Sequence, residues 1–187
     1  MENEITINGV IHSVIKEHGE FFLSMPKTHC LLRIKAEGAV LMNAYAHVGE
    51  RVSVHGKLAS EDAMVINPCE CNTMSKTIES YIIADSVQKA PFINHVKIKG
   101  IITDTPKLIR TPAKEFYTCR IRLADACGYM SVSTPEHPGN KGDYIAVEGH
   151  LQWKDYNRIL SCNRCKKTYA APTLSLLVVS EERRYKQ

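Results

Sequence analysis

Long apolar runs are absent from this sequence, and so is any sustained helical spacing of apolar residues. No stretch approaches the roughly 18 consecutive apolar residues of a membrane-spanning helix, so we expect no membrane partner. The first nine residues carry Glu2 and Glu4 and lack a basic start followed by an apolar run, which argues against a signal peptide. We therefore expect a cytoplasmic protein whose seven cysteines are reduced thiols or metal ligands rather than disulfides.

Motifs that indicate catalysis are also missing. The sequence has no Gly-rich phosphate loop, no HExxH pair, no nucleophile elbow and no paired carboxylates at suggestive positions. Its eight histidines are scattered and form no convergent set. We therefore predict that this protein is not an enzyme.

The sequence instead contains two copies of one β-rich unit. Almost every apolar run is short, rich in β-branched residues and bounded by Gly, Pro, Asn or Asp, which is typical of strands. Residues 5–11 (ITINGVI) are answered by residues 96–102 (VKIKGII), and residues 49–58 (GERVSVHGKL) by residues 142–151 (GDYIAVEGHL). Because there are only two copies and each is long, they indicate duplicated domains rather than a solenoid.

Each unit contains about five short strands, with a glycine inside the first and the fourth. Such glycines are expected in a small closed barrel, where a strand bends sharply to pair with two neighbours and a side chain would obstruct the bend. We therefore predict an all-β protein of two tandem five-stranded OB-fold (Greek-key) barrels, with domains at 1–88 and 89–187. The boundary is expected in residues 87–93, where a proline interrupts the β pattern. A β-sandwich ranks second, because it usually needs about seven strands per domain.

Residues 94–180 resemble the bacterial single-stranded DNA-binding protein family. Residues 94–112 contain an apolar strand with a glycine, a Pro-containing loop, a basic residue and a Thr-Pro turn, and the likeness continues through residues 116–124 and 147–153. The resemblance implies an OB fold that binds single strands with little sequence preference. It also implies four assembled domains, and hence a homodimer of a tandem chain. Primosomal proteins of the same fold are similar. The family's acidic tail tip is not matched by residues 181–187, which favours a dedicated accessory role, such as one on a mobile element.

Net charge is only +4, so a case for a polyanionic partner depends on where the cations lie. Strand alternation predicts that Cys119, Ile121 and Leu123 point inward, so that Arg120 and Arg122 project from the outer face. The first unit repeats this pattern, and Lys107 extends the patch on the loop before the strand. The alternative is that these are ordinary solvated charges. The predicted phosphate track comprises Arg33, Lys35, Arg110, Lys114, Arg120 and Arg122.

Aromatic residues alternate with cations in residues 153–158 (WKDYNR), which we predict to be the loop after the fourth strand of the second unit. Each base stacked on an exposed ring contributes about 1–3 kcal/mol. Trp153 is the only tryptophan, and its alternative role is an anchor in a core or dimer interface. The first unit has residues 59–62 (ASED) at this place, so we expect the second unit to dominate binding. The further predicted contacts are Phe116, Tyr129, Trp153, Lys154, Tyr156 and Arg158.

Paired cysteines recur at the same place in both units. The shift that superposes the fourth strands also superposes Cys69 on Cys162, and each has a second cysteine close by, Cys71 and Cys165. Four thiolates can form a tetrahedral zinc site that would clamp the two loops. The alternatives are reduced cysteines inherited through duplication, or a redox-sensitive pair, so no cofactor is required. The other cysteines are expected to be small buried hydrophobes, namely Cys30, Cys119 and Cys127.

These observations predict a protein that binds single-stranded DNA with little sequence preference, through basic strands and stacking aromatics. We expect it to act as an accessory protein in DNA replication, repair or recombination, with proteins of those processes as partners. One alternative is a protein-interaction module of a replication-restart or mobile-element complex. Another is RNA binding, because stacking platforms accept either polymer.

Overall fold

The computed structural model describes residues 3–89 and 93–180, so residues 90–92 of the expected linker and the C-terminal residues 181–187 lie outside it. Within the described ranges the chain forms eleven strands in one continuous sheet, one α-helix and one short 3₁₀ turn. The prediction of an all-β fold is therefore confirmed. None of the helices in these ranges is long and apolar enough to cross a membrane.

Five strands of the first half pair in a closed ring. The neighbours follow the order β1, β2, β3, β5, β4 and back to β1. All of these pairs are antiparallel except β3 with β5, which is parallel. The strands are β1 (Asn3–Ile15), β2 (Glu20–Ser24), β3 (Leu31–Lys35), β4 (Arg51–Ile66) and β5 (Met74–Gln88).

The second half repeats the same order of pairing, in agreement with the repeat in the sequence. Its ring runs β6, β8, β9, β11, β10 and back to β6, and here β9 and β11 form the parallel pair. One strand was not expected, because β7 forms a hairpin with β8 outside the ring. The strands are β6 (His95–Ile102), β7 (Lys107–Arg110), β8 (Glu115–Leu123), β9 (Tyr129–Thr134), β10 (Tyr144–Ser161) and β11 (Thr168–Ser180).

Two glycines of the second ring allow backbones to approach closely. A Cβ at Gly100 would lie 2.2 Å from the carbonyl oxygen of Arg122, and one at Gly149 would lie 1.9 Å from that of Val179. Each glycine sits where its strand pairs with two neighbours, Gly100 with β8 and β10, and Gly149 with β6 and β11. The two glycines therefore occur in these strands for the expected reason, because a side chain there would clash with the neighbouring backbone.

The core follows the two-residue alternation of the strands. In β8, Cys119, Ile121 and Leu123 are buried whereas Arg120 and Arg122 are exposed, as predicted from the sequence. The same alternation buries Phe21 and Leu23 in β2, Leu32 and Ile34 in β3, and Val96 and Ile98 in β6. Burial of such side chains stabilises each by about 1.5–3 kcal/mol relative to exposure.

One helix, α1 (Gly38–Ala46), lies between β3 and β4 and was not predicted. It has only nine residues and buries only Leu41 and Ala44, so its sequence shows too few turns for a 3.6-residue pattern to be recognised. The amide of Asn43 donates to the carbonyl oxygen of Val87 at 2.6 Å, which ties the helix to β5.

The two halves share backbone and side-chain contacts. Strands β1 and β6 pair antiparallel, from Asn3 opposite Ile98 to Thr6 opposite His95. Two long hairpins, β4 with β5 and β10 with β11, reach beyond the rings. The expectation of a loop at residues 153–158 is wrong, because these residues are paired within β10 along its whole length. The domain limits 1–88 and 89–187 stay a prediction.

Candidate nucleic-acid interface and cysteine cluster

A groove of about 590 Å³ lies between the two halves. The first half contributes residues of β2, β3 and the β4–β5 hairpin, and the second half contributes residues of β8, β9 and the β10–β11 hairpin. The groove is lined by five residues that were predicted to contact nucleic acid: Arg33, Arg120, Tyr129, Tyr156 and Arg158.

Arg120 and Arg122 project from the outer face of β8 with exposed side chains. Across the described ranges, neither guanidinium has an acidic partner. The backbone N–H of Arg120 donates to a carboxylate oxygen of Asp104 at 2.6 Å, which fixes the strand rather than the charge. Arg122 stands directly opposite Tyr129 on β9, so a cation and a ring share this surface.

Tyr156 and Arg158 form a unit on β10. The Nε and Nη2 atoms of Arg158 donate to the Tyr156 hydroxyl at 3.2 and 3.1 Å, and the guanidinium lies 5.9 Å from the ring centroid. Nη2 of Arg158 also donates to the carbonyl oxygen of Ile78 at 3.0 Å, so it links the two hairpins. Tyr156 is 37% exposed and Tyr129 is 39% exposed, so both side chains reach the surface, where a base could stack on them.

Arg33 is surrounded by carboxylates. It donates to Glu20 through Nε at 2.9 Å, to Glu61 at 2.8 Å and to Glu79 at 3.4 Å, while Lys35 bonds Glu61 at 2.7 Å. Burial alone would lower the pKa of Arg33, but the hydrogen bonds to Glu20 and Glu61 raise it. The hydrogen bond from Lys35 contributes most to lowering the pKa of Glu61. Arg33 therefore lines the groove and Lys35 lies on the same face of β3, and neighbouring glutamates offset the charge of both.

Trp153 is half-buried against the core rather than set in an open loop. Its indole N–H donates to the carbonyl oxygen of Pro26 at 3.0 Å, in the loop between β2 and β3. Nearby, the carboxylate of Asp155 accepts from the backbone N–H groups of His29 at 2.7 Å and Cys30 at 3.3 Å. These contacts correspond to the alternative role of Trp153 as an anchor, but the anchor joins the two halves of one chain rather than two chains. Its predicted stacking role stays a prediction.

The remaining predicted contacts do not line the groove. Arg110 pairs with Glu115 at 2.9 Å, and the Lys114 ammonium lies 5.6 Å from the centroid of the Phe116 ring, all on the β7–β8 hairpin. Lys154 is exposed on β10. The structure thus separates a cationic hairpin from the groove, where the sequence suggested one continuous patch.

Sequence reasoning missed the contribution of β5 to the groove. Ile78, Glu79 and Ser80 all line it. One signal was available, because Glu61 and Glu79 stand opposite each other in the β4–β5 hairpin, and like charges in that position need a neighbouring cation. Arg33 supplies it. Recognising that Glu79 faces Glu61 requires the register of the β4–β5 hairpin, which cannot be read from the sequence.

The four paired cysteines meet at the tips of the two long hairpins. The sulfur atoms of Cys69, Cys71, Cys162 and Cys165 all lie within 4.8 Å of one another and could hold a metal ion. The N–H of Cys165 and the hydroxyl of Thr73 lower the pKa of Cys162 to about 6. Burial, followed by hydrogen bonds with Cys165 and Cys162, raises the pKa of Cys71 to about 12.

The other cysteines correct an expectation. Cys119 is buried, as predicted, but Cys30 is only half-buried and Cys127 is exposed. Both lie in loops, before β3 and before β9, where no strand alternation directs the side chain inward. The carbonyl of Cys127 accepts from the N–H of Ser60 at 3.0 Å, so this loop contacts the first half through its backbone.

The order of strand pairing in each half is typical of an OB fold. The wild-type single-stranded DNA binding protein from Thermus aquaticus has a similar structure, with a TM-score of 0.63, 15% identity, and coverage of 99% of this chain and 93% of that chain. A deletion mutant of the same protein also has a TM-score of 0.63, with 14% identity and coverage of 99% and 94%. No family profile and no curated protein sequence matches the chain.

Proposed function

We propose that this protein binds single-stranded DNA in the groove between its halves and along the outer face of β8. The observation that carries the proposal is the convergence of Arg120 of β8, Tyr129 of β9 and Tyr156 of β10 on the groove, with Arg122 opposite Tyr129 and neither arginine paired with an acid in the described part of the chain. The name of the Thermus structures, single-stranded DNA binding protein, supports this choice of polymer.

The chemistry of the surface favours binding without sequence preference. Guanidinium groups attract phosphates whatever the base, and every base has a face that can stack on a tyrosine ring. Duplex bases are already stacked on one another, so the rings can engage only an unpaired strand. Binding should therefore be stronger to single strands than to duplex, and it should weaken as salt rises.

We propose a binding role without catalysis, as an accessory to replication, repair or recombination. RNA is the second candidate ligand, because the same groups accept either sugar. A protein-interaction role is the third, and exposed apolar side chains on the two hairpins favour it: Met64, Ile66, Met74, Ile78 and Ile159. The homodimer implied by the family resemblance stays a prediction.

The test is fluorescence anisotropy with a labelled DNA single strand, its duplex and the matching RNA strand, each at several salt concentrations. We expect single-stranded DNA to bind most tightly and to remain intact when divalent metals are added. The variant Arg120→Gln should lower affinity and reduce the salt slope by about one, because one phosphate contact is lost. Arg51→Gln is the matched control, since Arg51 is exposed on β4 and does not line the groove.

Three outcomes would contradict this proposal in different ways. Tighter binding to RNA would assign the groove to that polymer. Equal loss of affinity in Arg120→Gln and Arg51→Gln would show a diffuse charge effect without a site. No salt-dependent binding of any strand would favour the protein-interaction role.

A further inference from the structure

We propose that the tips of the β4–β5 and β10–β11 hairpins together bind one Zn²⁺ through four thiolates, two from each half of the chain. The ligands are Cys69, Cys71, Cys162 and Cys165, whose sulfur atoms lie within 4.8 Å of one another. Each pair is far from the other in sequence, so only the folded chain creates the set. The inference does not depend on what the groove binds.

The spacing of the sulfur atoms suits a tetrahedral ion. Zn–S bonds of about 2.3 Å place the sulfurs of a tetrahedron about 3.8 Å apart. The observed upper limit of 4.8 Å requires contraction of 1 Å or less, which hairpin tips can provide. Four thiolates with no nitrogen or carboxylate ligand favour zinc over magnesium or calcium, which prefer oxygen.

The turn around Cys162 is built to stabilise a thiolate. The N–H of Cys165 points at the Cys162 sulfur at 3.5 Å, and the N–H of Lys166 closes the turn on the Cys162 carbonyl at 2.9 Å. Lys166 takes a left-handed backbone conformation with φ of 58° to make this turn. The neighbouring basic side chains of Arg164 and Lys167 lie in the same short segment as the two thiolates.

The side chains next to the sulfurs form hydrogen bonds that leave a donor facing Cys162. The hydroxyl of Thr73 accepts from the Asn67 amide at 2.9 Å, so its own proton is available for the Cys162 sulfur at 3.1 Å. Asn67 is 1% exposed, and its side-chain amide oxygen accepts from the hydroxyl of Ser75 at 2.8 Å. The Tyr169 hydroxyl lies 3.5 Å from the Cys165 sulfur. Such outer contacts orient metal ligands in known sites.

A site of this kind is structural. Four protein thiolates fill the coordination sphere of zinc, so no position is left for water or substrate. The ion would instead join the two hairpins at one end of the groove. The walls at that end include Val65, Leu160 and Ala171. Hydrogen bonds between the hairpins already lie beside it, from Thr73 to the Cys162 sulfur at 3.1 Å and from Ser75 to the carbonyl oxygen of Ser161 at 3.3 Å, and Arg158 and Ile78 join the hairpins farther along the strands.

The test is metal content and cobalt substitution of the full chain under reducing conditions. Native mass spectrometry should give one zinc per chain, and replacement by Co²⁺ should give the intense visible bands of a tetrahedral tetrathiolate. Cys71→Ser and Cys162→Ser, one from each hairpin, should each weaken Co²⁺ binding at least tenfold and change the bands. Cys127→Ser is the control, because Cys127 is exposed and outside the cluster.

Circular dichroism of each variant separates loss of ligand from loss of fold. A folded Cys71→Ser protein that binds Co²⁺ as the control does would overturn the proposal, and so would an octahedral cobalt spectrum. Wild-type protein that contains disulfides between these cysteines, or that binds no Co²⁺ when reduced, would overturn it as well. DNA takes no part in these measurements, so their failure leaves the proposed function standing.

Discussion

At the scale of single residues, two cations that the sequence repeat placed in matching strands have different surroundings. Arg33 and Arg120 occupy outward positions of strands that line the same groove, yet Arg33 is held by three glutamates and Arg120 by none within the described ranges. The repeat in the sequence matched residues 32–35 with 119–122, but the order of pairing makes β3 the counterpart of β9 and β2 the counterpart of β8, so the two arginines are not structurally equivalent. The structure instead suggests that Arg33 supports the fold and that Arg120 supplies a free charge.

Replacing Arg33 should therefore affect stability more than binding. Arg33→Gln leaves the facing carboxylates of Glu61 and Glu79 without their cation, and the expected loss is about 1 kcal/mol because the site is partly solvated. Affinity for single-stranded DNA should change less than twofold. Chemical denaturation and anisotropy on the same samples check this split, with Arg120→Gln as the opposite case. A large affinity loss with unchanged stability would assign Arg33 to the phosphate track.

Asp155 offers a prediction about pH. The backbone N–H of His29 contributes most to lowering the pKa of its carboxyl, so the folded state favours the ionised form. Stability from this contact is present above the ordinary carboxyl pKa of about 3.9 and is lost as pH falls through the lowered folded value. Asp155→Asn should thus melt at a lower temperature at pH 7, and its gap from wild type should shrink in acid.

The control for Asp155 is an acid with an exposed partner. Asp62 pairs with Lys76 at 2.7 Å, but both side chains are more than 60% exposed, so Asp62→Asn should change the melting temperature little at any pH. If both variants melt alike, the link between β10 and the loop before β3 contributes nothing measurable.

At the scale of elements, ring closure should depend on the glycines that sit at strand bends. A Cβ at Gly100 meets the backbone of Arg122 at 2.2 Å, whereas one at the corresponding Gly9 meets the side chain of Leu23 at 3.1 Å. Gly100→Ala should cost about 3 kcal/mol and Gly9→Ala about 1 kcal/mol, because the neighbours of Gly9, which include the backbone oxygen of Ser24 at 3.2 Å, need to move by only a few tenths of an ångström. Urea unfolding measures both, and equal costs would contradict the close approach at Gly100.

Elements differ in how much of them the sequence could reveal. Strand alternation and the duplicated glycines predicted about five strands in each half and located the first and fourth, but β2 and β9 were not located. The shared cysteine shift predicted that two cysteine pairs occupy matching places. Helix α1 was too short to show a period. The long strand β10 was mistaken for a loop, because Lys154, Asp155 and Asn157 are polar where a hairpin projects beyond the core. The groove could not be predicted, since it depends on how the two halves meet.

At the scale of the whole molecule, several separate contacts fix one half against the other. Strands β1 and β6 continue the sheet, Trp153 contacts the loop before β3, and the hairpins meet at Arg158. The loop before β9 adds a further contact, where the N–H of Tyr129 donates to the Ser60 hydroxyl at 2.8 Å. Gly128 permits that approach, since a Cβ there would lie 1.9 Å from the Ser60 oxygen. The groove is thus a product of the interface between halves.

Removal of the proposed zinc should loosen one end of this interface. Without the ion, the hairpin tips are held by side-chain hydrogen bonds, and the walls near Val65 and Leu160 are free to separate. We expect chelation to lower affinity for single-stranded DNA on the order of fivefold to tenfold through faster dissociation, with the far-ultraviolet dichroism unchanged because both rings keep their cores.

Stopped-flow dissociation of a labelled strand measures that effect, and re-added Zn²⁺ should reverse it. Cys162→Ser should show the faster rate from the start and ignore the chelator, whereas Cys127→Ser should respond as wild type does. An unchanged dissociation rate after proven metal loss would mean that the hairpin tips do not control the groove. In that case the ring surfaces, held by the β1–β6 pairing, would be sufficient to position Arg120 and Tyr129 for binding.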